Sequence, residues 1–294
     1  MSGIPYMGSK RKLSNEIVTY IQNHNPNAKY FYDLFGGGGA ISFESLKKKQ
    51  FEKVFYNELN TGVVELLKKI KKDGITADFY NWISREEFNE LKNGTDWKAG
   101  LIKCCWSFGN NQRDYLFAKE IEEPKRLMHE IVVNCCEKSR LEFLEVTGFE
   151  IDVLIFNLKT IENRRLKLCD LIKKSRMQQL ERMQQLQQLQ QLQQLELTNL
   201  SYELVEINTP TEETIIYLDP PYFGTSKYEH ELNENDLLEW IKISKYKIYV
   251  SSYDFKLPCV HEISHRSTLC AKSNNKVVER LFCNQEEQFN FKLF

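Results

Sequence analysis

The chain lacks the features that mark membrane and secreted proteins. Among its 294 residues no apolar run approaches the ~20 residues that a membrane-spanning helix needs. The first four residues lack the basic-then-apolar pattern of a signal peptide. We therefore predict a cytoplasmic protein that makes no membrane contact.

Metal-binding patterns are also scarce. The chain has eight cysteines, none of them in a C-x-x-C pair, and only five histidines. In a cytoplasmic protein this pattern indicates reduced, mostly buried thiols rather than disulfides or zinc ligands. We therefore predict that the protein binds no metal.

An excess of positive charge is absent too. Lysine and arginine total 40 against 41 acidic residues, so the formal net charge is −1. This is an unfavourable start for a nucleic-acid-binding protein, since contacts to phosphates supply most of the affinity. The basic residues are unevenly placed, however, and residues 159–182 carry eight of them against three acidic ones.

A glycine loop is present, but it lacks the patterns that hold phosphates. Residues 29–35 are aromatic and favour a strand, which runs into four glycines at 36–39 and then into helical spacing from Ala40. Strand, glycine loop and helix form the first unit of a nucleotide-binding sheet. There is no G-x-G-x-x-G and no P-loop Lys-Ser/Thr. Glu58 ends the next strand, where ribose hydroxyls are expected. The pattern favours an adenosine-type cofactor without a clamped phosphate, with S-adenosylmethionine as the leading candidate.

The most informative motif is Asp219-Pro220-Pro221-Tyr222, which follows an apolar run at 214–218. That run predicts a buried strand, and the two prolines turn the backbone out of the sheet. The Asp219 carboxylate and the Pro220 carbonyl are suited to accept both N–H protons of an amine, and Tyr222 to stack on a planar base. The motif predicts a site for the exocyclic amine of a nucleobase. On these four residues alone, a proline-rich turn without a chemical role remains the alternative.

The chemistry of such a site follows from the target. In a nucleobase such as adenine the lone pair of the exocyclic amine is delocalised into the ring, and accepting both protons localises it for attack on a sulfonium methyl group. The base must leave the duplex to reach the pocket, at a cost of a few kcal/mol. Methylation of cytosine C5 would instead need a cysteine nucleophile. The single Pro-Cys pair, Pro258-Cys259, comes after the amine motif and is interpreted as structural.

Three motifs occur in an order that resembles a known family. They are Tyr6-Met7-Gly8-Ser9-Lys10, Asp33-Leu34-Phe35-Gly36-Gly37-Gly38 and Asp219-Pro220-Pro221-Tyr222. The chain resembles the Dam-like (D12 class) DNA adenine-N6 methyltransferases over roughly residues 4–75 and 198–282. The resemblance implies an α/β fold: a Rossmann-like S-adenosylmethionine-dependent methyltransferase sheet of seven strands, with an antiparallel last hairpin and a mainly helical DNA-recognition insert.

The resemblance also implies the domains and the site. The catalytic domain is expected at 1–75 and 197–294, and the target-recognition insert at 76–196, including a Gln/Leu tract at 178–196. Catalytic roles fall on Asp219, Pro220 and Tyr222. Cofactor contacts fall on Tyr6, Lys10, Phe35, Gly36, Gly38, Glu58, Tyr202 and Asp219. Tyr6 and Lys10 would contact the methionine end of the cofactor, Glu58 the ribose and Tyr202 the adenine.

Two segments of the insert are candidates for DNA contact. The polar loop after Trp106 offers amide and guanidinium groups suited to base edges, at Asn110, Asn111 and Arg113. The basic run offers Arg164, Arg165 and Lys167 to phosphates. The alternatives are a turn with a satisfied arginine and a solvated basic helix face.

The remaining expectations concern secondary structure and function. Periodicity predicts a helix at 124–145, a helix in the Gln/Leu tract, and strands at 30–35, 53–58, 201–206, 214–219, 246–252, 259–265 and 277–283. We predict a site-specific enzyme, monomeric or weakly dimeric, that methylates adenine N6 in double-stranded DNA and belongs to a restriction-modification system, a phage or neither. The alternatives are an RNA adenine-N6 or a cytosine-N4 methyltransferase, and a catalytically silent binding module.

Overall fold

The computed structural model describes residues 3–172, 175–189, 191–221, 232–266 and 276–285. Within these ranges seven strands form one sheet: β1 (Tyr30–Asp33), β2 (Lys53–Asn57), β3 (Leu195–Thr198), β4 (Thr214–Leu218), β5 (Lys247–Ser252), β6 (Cys259–Arg266) and β7 (Lys276–Cys283). The order across the sheet is β3-β2-β1-β4-β5-β7-β6. The first five strands are parallel, while β7 is antiparallel to both β5 and β6. The predicted seven-stranded sheet with an antiparallel last hairpin is confirmed.

Ten α-helices lie in the described ranges. They are α1 (Ser14–His24), α2 (Ala40–Lys47), α3 (Thr61–Asp73), α4 (Arg85–Leu91), α5 (Trp97–Cys105), α6 (Lys119–Asn134), α7 (Glu137–Thr147), α8 (Ile161–Leu171), α9 (Gln178–Gln187) and α10 (Glu234–Ile243). None of the helices described is long and apolar enough to cross a membrane. The cytoplasmic location stays a prediction.

The strand order determines where a ligand site is expected. The chain runs from β1 to β2 and β3 on one side and then crosses back to β4 on the other side of β1, so the strand order reverses between β1 and β4. In open parallel sheets the crevice at the carboxyl ends of the strands at such a reversal is the usual ligand site. The strands are apolar because both sheet faces are covered: every residue of β4 is buried.

The residues pack as two compact units. The sheet unit comprises residues 1–3, 8–60 and 190–294, and the helical unit comprises residues 4–7 and 61–189. Helix α3 falls in the helical unit because it packs closely on α5, where a Cβ added to Gly100 would collide with the backbone of Gly62. The assignment of DNA recognition to residues 76–196 stays a prediction.

Two elements differ from the predicted ones. The predicted strand at 201–206 is wrong, because a 3₁₀ turn occupies Tyr202–Leu204 and the third strand is β3, which begins inside the Gln/Leu tract. Residues 195–198 alternate apolar and polar and pair with β2. The single helix predicted at 124–145 is also wrong. The backbone turns left-handed at Cys135, with φ of 51°, and this ends α6 before α7 begins.

The Gln/Leu tract changes structure along its length. Its first part forms α9, as predicted, with Leu180, Met183 and Leu186 buried. A three-residue spacing drifts around a helix and cannot keep one face buried for long. The helix ends at Gln187, and the next leucines, Leu189 and Leu192, are buried beyond it. The change of structure keeps the apolar side chains inside the fold.

Candidate active site

The glycine loop follows β1 and is folded tightly against β2. The Gly36 amide donates to the Asn57 carbonyl at 2.8 Å, and the Tyr56 hydroxyl donates to the Gly37 carbonyl at 2.7 Å. A Cβ on Gly36 would collide with the Tyr56 ring, and Gly39 has φ of 72°. Glycine is needed at both positions, one for close packing and the other for a left-handed backbone.

Glu58 directly follows β2 and lies against this loop. Its Oε2 accepts a hydrogen bond from the Gly37 amide at 2.7 Å, and its Oε1 accepts one from the Asn60 amide at 2.9 Å. The residue is 9% exposed. The carboxylate predicted to bind ribose therefore lies beside the glycine loop. Two backbone amides fix its orientation.

Asp33 ends β1 and is 1% exposed. Its Oδ2 accepts from the Ser42 hydroxyl at 2.6 Å, while Oδ1 has no hydrogen-bond partner among the described residues. Burial raises the pKa of Asp33 to about 7, the Ser42 hydrogen bond opposes this, and the charges of Asp219 and Glu58 add to it. No motif in the sequence assigns this residue a role. The signal for it was its place as the last strand residue before the glycine loop.

Asp219 leaves β4 at the same edge of the sheet and is paired with Lys10. The Lys10 Nζ lies 2.6 Å from Asp219 Oδ1. Lys10 is 6% exposed, whereas the Asp219 side chain is 20% exposed. Burial raises the pKa of Asp219 to about 6, against the opposing effect of Lys10, and the charge of Glu279 raises it further. The structure thus brings together two residues that the motifs place 209 positions apart.

The other motif residues divide into described and undescribed positions. Pro220 is buried next to Asp219. Tyr222 lies outside the described residues, so its stacking role stays a prediction. Tyr6 is half-buried and belongs to the helical unit. Gly38 lies within the loop between β1 and α2.

Phe35 and Tyr202 form an aromatic wall in the sheet unit. Their rings are stacked, with centroids 5.4 Å apart, and Tyr202 also meets Trp240 edge-on at 5.3 Å. Tyr202 is 6% exposed, and burial raises its pKa. The 3₁₀ turn that replaces the predicted strand carries this ring, which stacks on Phe35.

Charge is strongly unbalanced at this edge of the sheet. Among the described residues, Asp33, Glu58, Asp219 and Glu279 interact electrostatically at this edge, together with Lys10. Four acidic side chains against one ammonium favour a cationic ligand and disfavour a phosphate-bearing one. In the part of the chain that the structure describes, no group of three or more side chains is arranged to hold a metal ion.

The predicted base-reading loop is a hairpin in the helical unit. Ser107 and Tyr115 form a β-bridge, and the backbone between them is left-handed at Gly109, Asn110 and Gln112. Arg113 pairs with Asp114 at 3.0 Å, but its side chain is 78% exposed. An exposed pair of this kind contributes little to stability, so the guanidinium is available for another partner.

An asparagine side chain within the hairpin and an arginine from α9 make further contacts there. Asn111 donates to the Asp114 carboxylate at 2.7 Å, and the Asn110 Oδ1 is buried without a hydrogen-bond partner among the described residues. Arg182 of α9 donates to the carbonyls of Cys105 and Ser107 at 3.0 and 2.8 Å. The Gln/Leu tract therefore anchors the base of the hairpin, a role that the sequence analysis did not find.

The basic run separates into buried and exposed residues. Arg164 is 8% exposed and donates to the carbonyls of Val132 and Leu158 at 2.6 and 2.7 Å. Arg165 is 7% exposed and pairs with Glu162 at 2.7 Å and with Glu181 at 2.9 Å. These contacts give both guanidinium groups a structural role. Lys167 is exposed.

Comparison with known proteins finds the family that the three motifs indicate. A family model described as D12 class N6 adenine-specific DNA methyltransferase matches residues 6–256. No curated protein matches the chain significantly.

Proposed function

Since this chain belongs to the D12 class of N6 adenine-specific DNA methyltransferases, we propose that it transfers a methyl group from S-adenosylmethionine to an adenine turned out of duplex DNA. Methylation of DNA adenine is the activity of the family. The observation that carries the finer proposal is the Asp219–Lys10 pair, partly exposed at the carboxyl edge of the sheet beside the glycine loop.

The residues present fit S-adenosylmethionine. Its sulfonium and ammonium groups are cationic and suit a site with an excess of carboxylates. The Asp33 Oδ1, which has no hydrogen-bond partner among the described residues, would accept from the ammonium group. Glu58 would accept from ribose hydroxyls, and the wall of Phe35 and Tyr202 would hold the adenine. When bound, this cofactor supplies an electrophilic methyl group.

The chain's own residues activate the target amine. Asp219 and the Pro220 carbonyl accept the two N6 protons and localise the lone pair on nitrogen. As the new N–C bond forms, positive charge develops on N6, and one proton passes to the Asp219 carboxylate. The raised pKa of Asp219, about 6, makes it a better proton acceptor than an ordinary carboxylate. Lys10 fixes the position of this carboxylate, and such positioning and electrostatics supply most of the rate enhancement.

DNA contact is proposed for the hairpin and for part of the basic run. The exposed Arg113 guanidinium matches a guanine edge, and the Asn110 and Asn111 amides would match an adenine edge once released from their present environment in the hairpin. Lys167 offers a positive charge to a phosphate. We do not include Arg164 and Arg165, because their donors are bonded within the helical unit.

Two alternatives use the same chemistry, namely methylation of RNA adenine or of cytosine N4. Sequencing that reports modified bases distinguishes them, applied to DNA from cells that express either this protein or its Asp219→Ala variant. We expect N6-methyladenine at one recurring sequence with the unaltered protein alone. Genomic adenine without modification in both cultures, or N4-methylcytosine in one, would contradict the proposal. N6-methyladenine in the culture with the unaltered protein alone would also exclude a silent module.

A further inference from the structure

Glu279 is a buried carboxylate to which the motifs assign no role. It lies on β7, whose later residues on the same side of the strand, Leu281 and Cys283, are buried and apolar. The pairing of Ser252 with Arg280 places Glu279 just beyond the carboxyl end of β5. Its side chain is 3% exposed. A carboxylate is costly to bury unless it is paired, so this position needs a reason.

Lys10 is one partner of this carboxylate. The Lys10 Nζ lies 2.6 Å from Asp219 Oδ1 and 3.6 Å from Glu279 Oε1, so one ammonium is shared between two carboxylates. Glu279 is the more deeply buried of the two, with 3% of its side chain exposed against 20% for Asp219. Asp219 is therefore the more accessible of the two carboxylates, and Glu279 is the more enclosed.

We propose that Glu279 is a positioning residue that holds the Lys10 ammonium at Asp219 and balances its charge when Asp219 takes up the N6 proton. This inference rests on the proposed function. Before methyl transfer the three groups carry a net charge of −1. When the proton reaches Asp219, the Lys10–Glu279 pair remains and is neutral. With a neutral residue at position 279, the same proton transfer would remove the second of these two carboxylate charges from beside the buried ammonium, which is unfavourable.

The charge of Glu279 also acts on Asp219 directly. Among the described residues, the titratable and charged groups that interact with Asp219 are Lys10, Glu279, Tyr217 of β4, Tyr253 after β5 and Asp33 of β1. The charge of Glu279 raises the pKa of Asp219, and that of Lys10 lowers it. Removing either charge should therefore move the pKa of Asp219, and the two removals should move it in opposite directions.

The first measurement is a pH profile of single-turnover methyl transfer to duplex DNA at saturating S-adenosylmethionine. The acid limb of this profile is the fall in rate at low pH, where Asp219 becomes protonated. In Glu279→Gln it should move to lower pH by about one unit. The plateau should fall by roughly tenfold or more, because proton acceptance is impaired. Glu279→Asp restores the charge and should return the acid limb towards that of the unaltered protein. A lowered plateau with an unmoved limb in Glu279→Gln would reduce Glu279 to a packing role.

A matched control lies on the neighbouring strand. Glu262 of β6 is exposed and pairs with Arg280 at 2.7 Å. Glu262→Gln removes the same charge from the same hairpin and should leave the limb and the plateau unchanged. Lys10→Met provides a second arm, since it should move the acid limb to higher pH.

The second measurement does not depend on activity. The carboxyl carbon resonance of Asp219, assigned by its loss in Asp219→Asn, is titrated by NMR in each variant. We expect a midpoint near 6 in the unaltered protein. The midpoint should be lower in Glu279→Gln and higher in Lys10→Met. Equal midpoints in all three proteins would overturn the inference, whether or not the enzyme methylates DNA. If the three midpoints are as expected but the unaltered protein transfers no methyl group, the proposed function is contradicted and the inference about Glu279 is not.

Discussion

The buried carboxylate of Asp33 makes the stability of the protein depend on pH. Asp33 is 1% exposed, and its pKa is raised from 3.8 to about 7 in the folded protein. A group whose folded pKa is raised contributes stability that is fully present below its unfolded pKa and is lost as pH rises through the folded value. One pKa unit corresponds to about 1.4 kcal/mol. Ionisation of Asp33 should therefore lower the free energy of unfolding by about 4 kcal/mol at most between pH 4 and pH 8.

Asp33→Asn removes this dependence, because its amide stays neutral and still accepts from Ser42. The free energy of unfolding of both proteins is measured by urea denaturation from pH 4 to pH 8. The difference between them, Asp33→Asn minus the unaltered protein, should grow by a few kcal/mol from pH 4 to pH 8. Asp170→Asn is the control, since Asp170 is exposed. A difference between Asp33→Asn and the unaltered protein that stays constant with pH would refute the reasoning.

Cofactor binding should report on the same carboxylate. If the Asp33 Oδ1 accepts from the ammonium of S-adenosylmethionine, binding favours the ionised carboxylate and releases a proton at pH 6. Calorimetry in two buffers of different ionisation enthalpy measures that proton. The release should disappear in Asp33→Asn. Equal proton release from both proteins would show that Asp33 does not face the ammonium group.

Further predictions concern the other site residues. Asp219→Ala should lower the rate of tritiated methyl transfer to mixed-sequence duplex DNA by about 10²–10³, and activity within a few-fold of the unaltered protein would remove Asp219 from the mechanism. Glu58→Gln should weaken S-adenosylmethionine binding in calorimetry by roughly 1.5–3 kcal/mol, whereas tighter binding of ATP or NAD than of S-adenosylmethionine to the unaltered protein would contradict the cofactor proposal. Lys167→Gln should lessen the slope of log DNA affinity against log salt by about 0.9, and an unchanged slope would exclude a phosphate contact. Arg113→Ala should cost ~1–3 kcal/mol on the recognised sequence and little on other DNA, with equal losses indicating a backbone contact.

The sheet and its catalytic edge were predictable from local patterns. Parallel strands covered on both faces appear as continuous apolar runs, and the run before Asp219 is of this kind. A glycine loop and a proline turn each follow a strand, so both mark its carboxyl end. The short strand β3 was missed because it begins in a tract whose composition favours a helix.

The contacts that were not predicted depend on side-chain direction or on residues far apart in the sequence, which local patterns do not show. Counting basic residues in 159–182 does not show which side of α8 each one takes, and Arg164 and Arg165 turn inward to carbonyls and acidic partners. The Lys10–Glu279 contact joins the first and last parts of the chain, and no motif spacing announces it. Arg182 lies in a repetitive tract, where an isolated arginine has no distinguishing pattern.

The central claim is that Asp219 activates the N6 amine of adenine in duplex DNA. The most direct test incubates the protein with methyl-labelled S-adenosylmethionine and, separately, duplex DNA, single-stranded DNA and RNA. Each product is digested to nucleosides and analysed by mass spectrometry, with Asp219→Asn as the control. We predict labelled N6-methyldeoxyadenosine from duplex DNA with the unaltered protein and its loss in Asp219→Asn. Label in N4-methylcytosine, label confined to RNA, or equal labelling by both proteins would contradict this account.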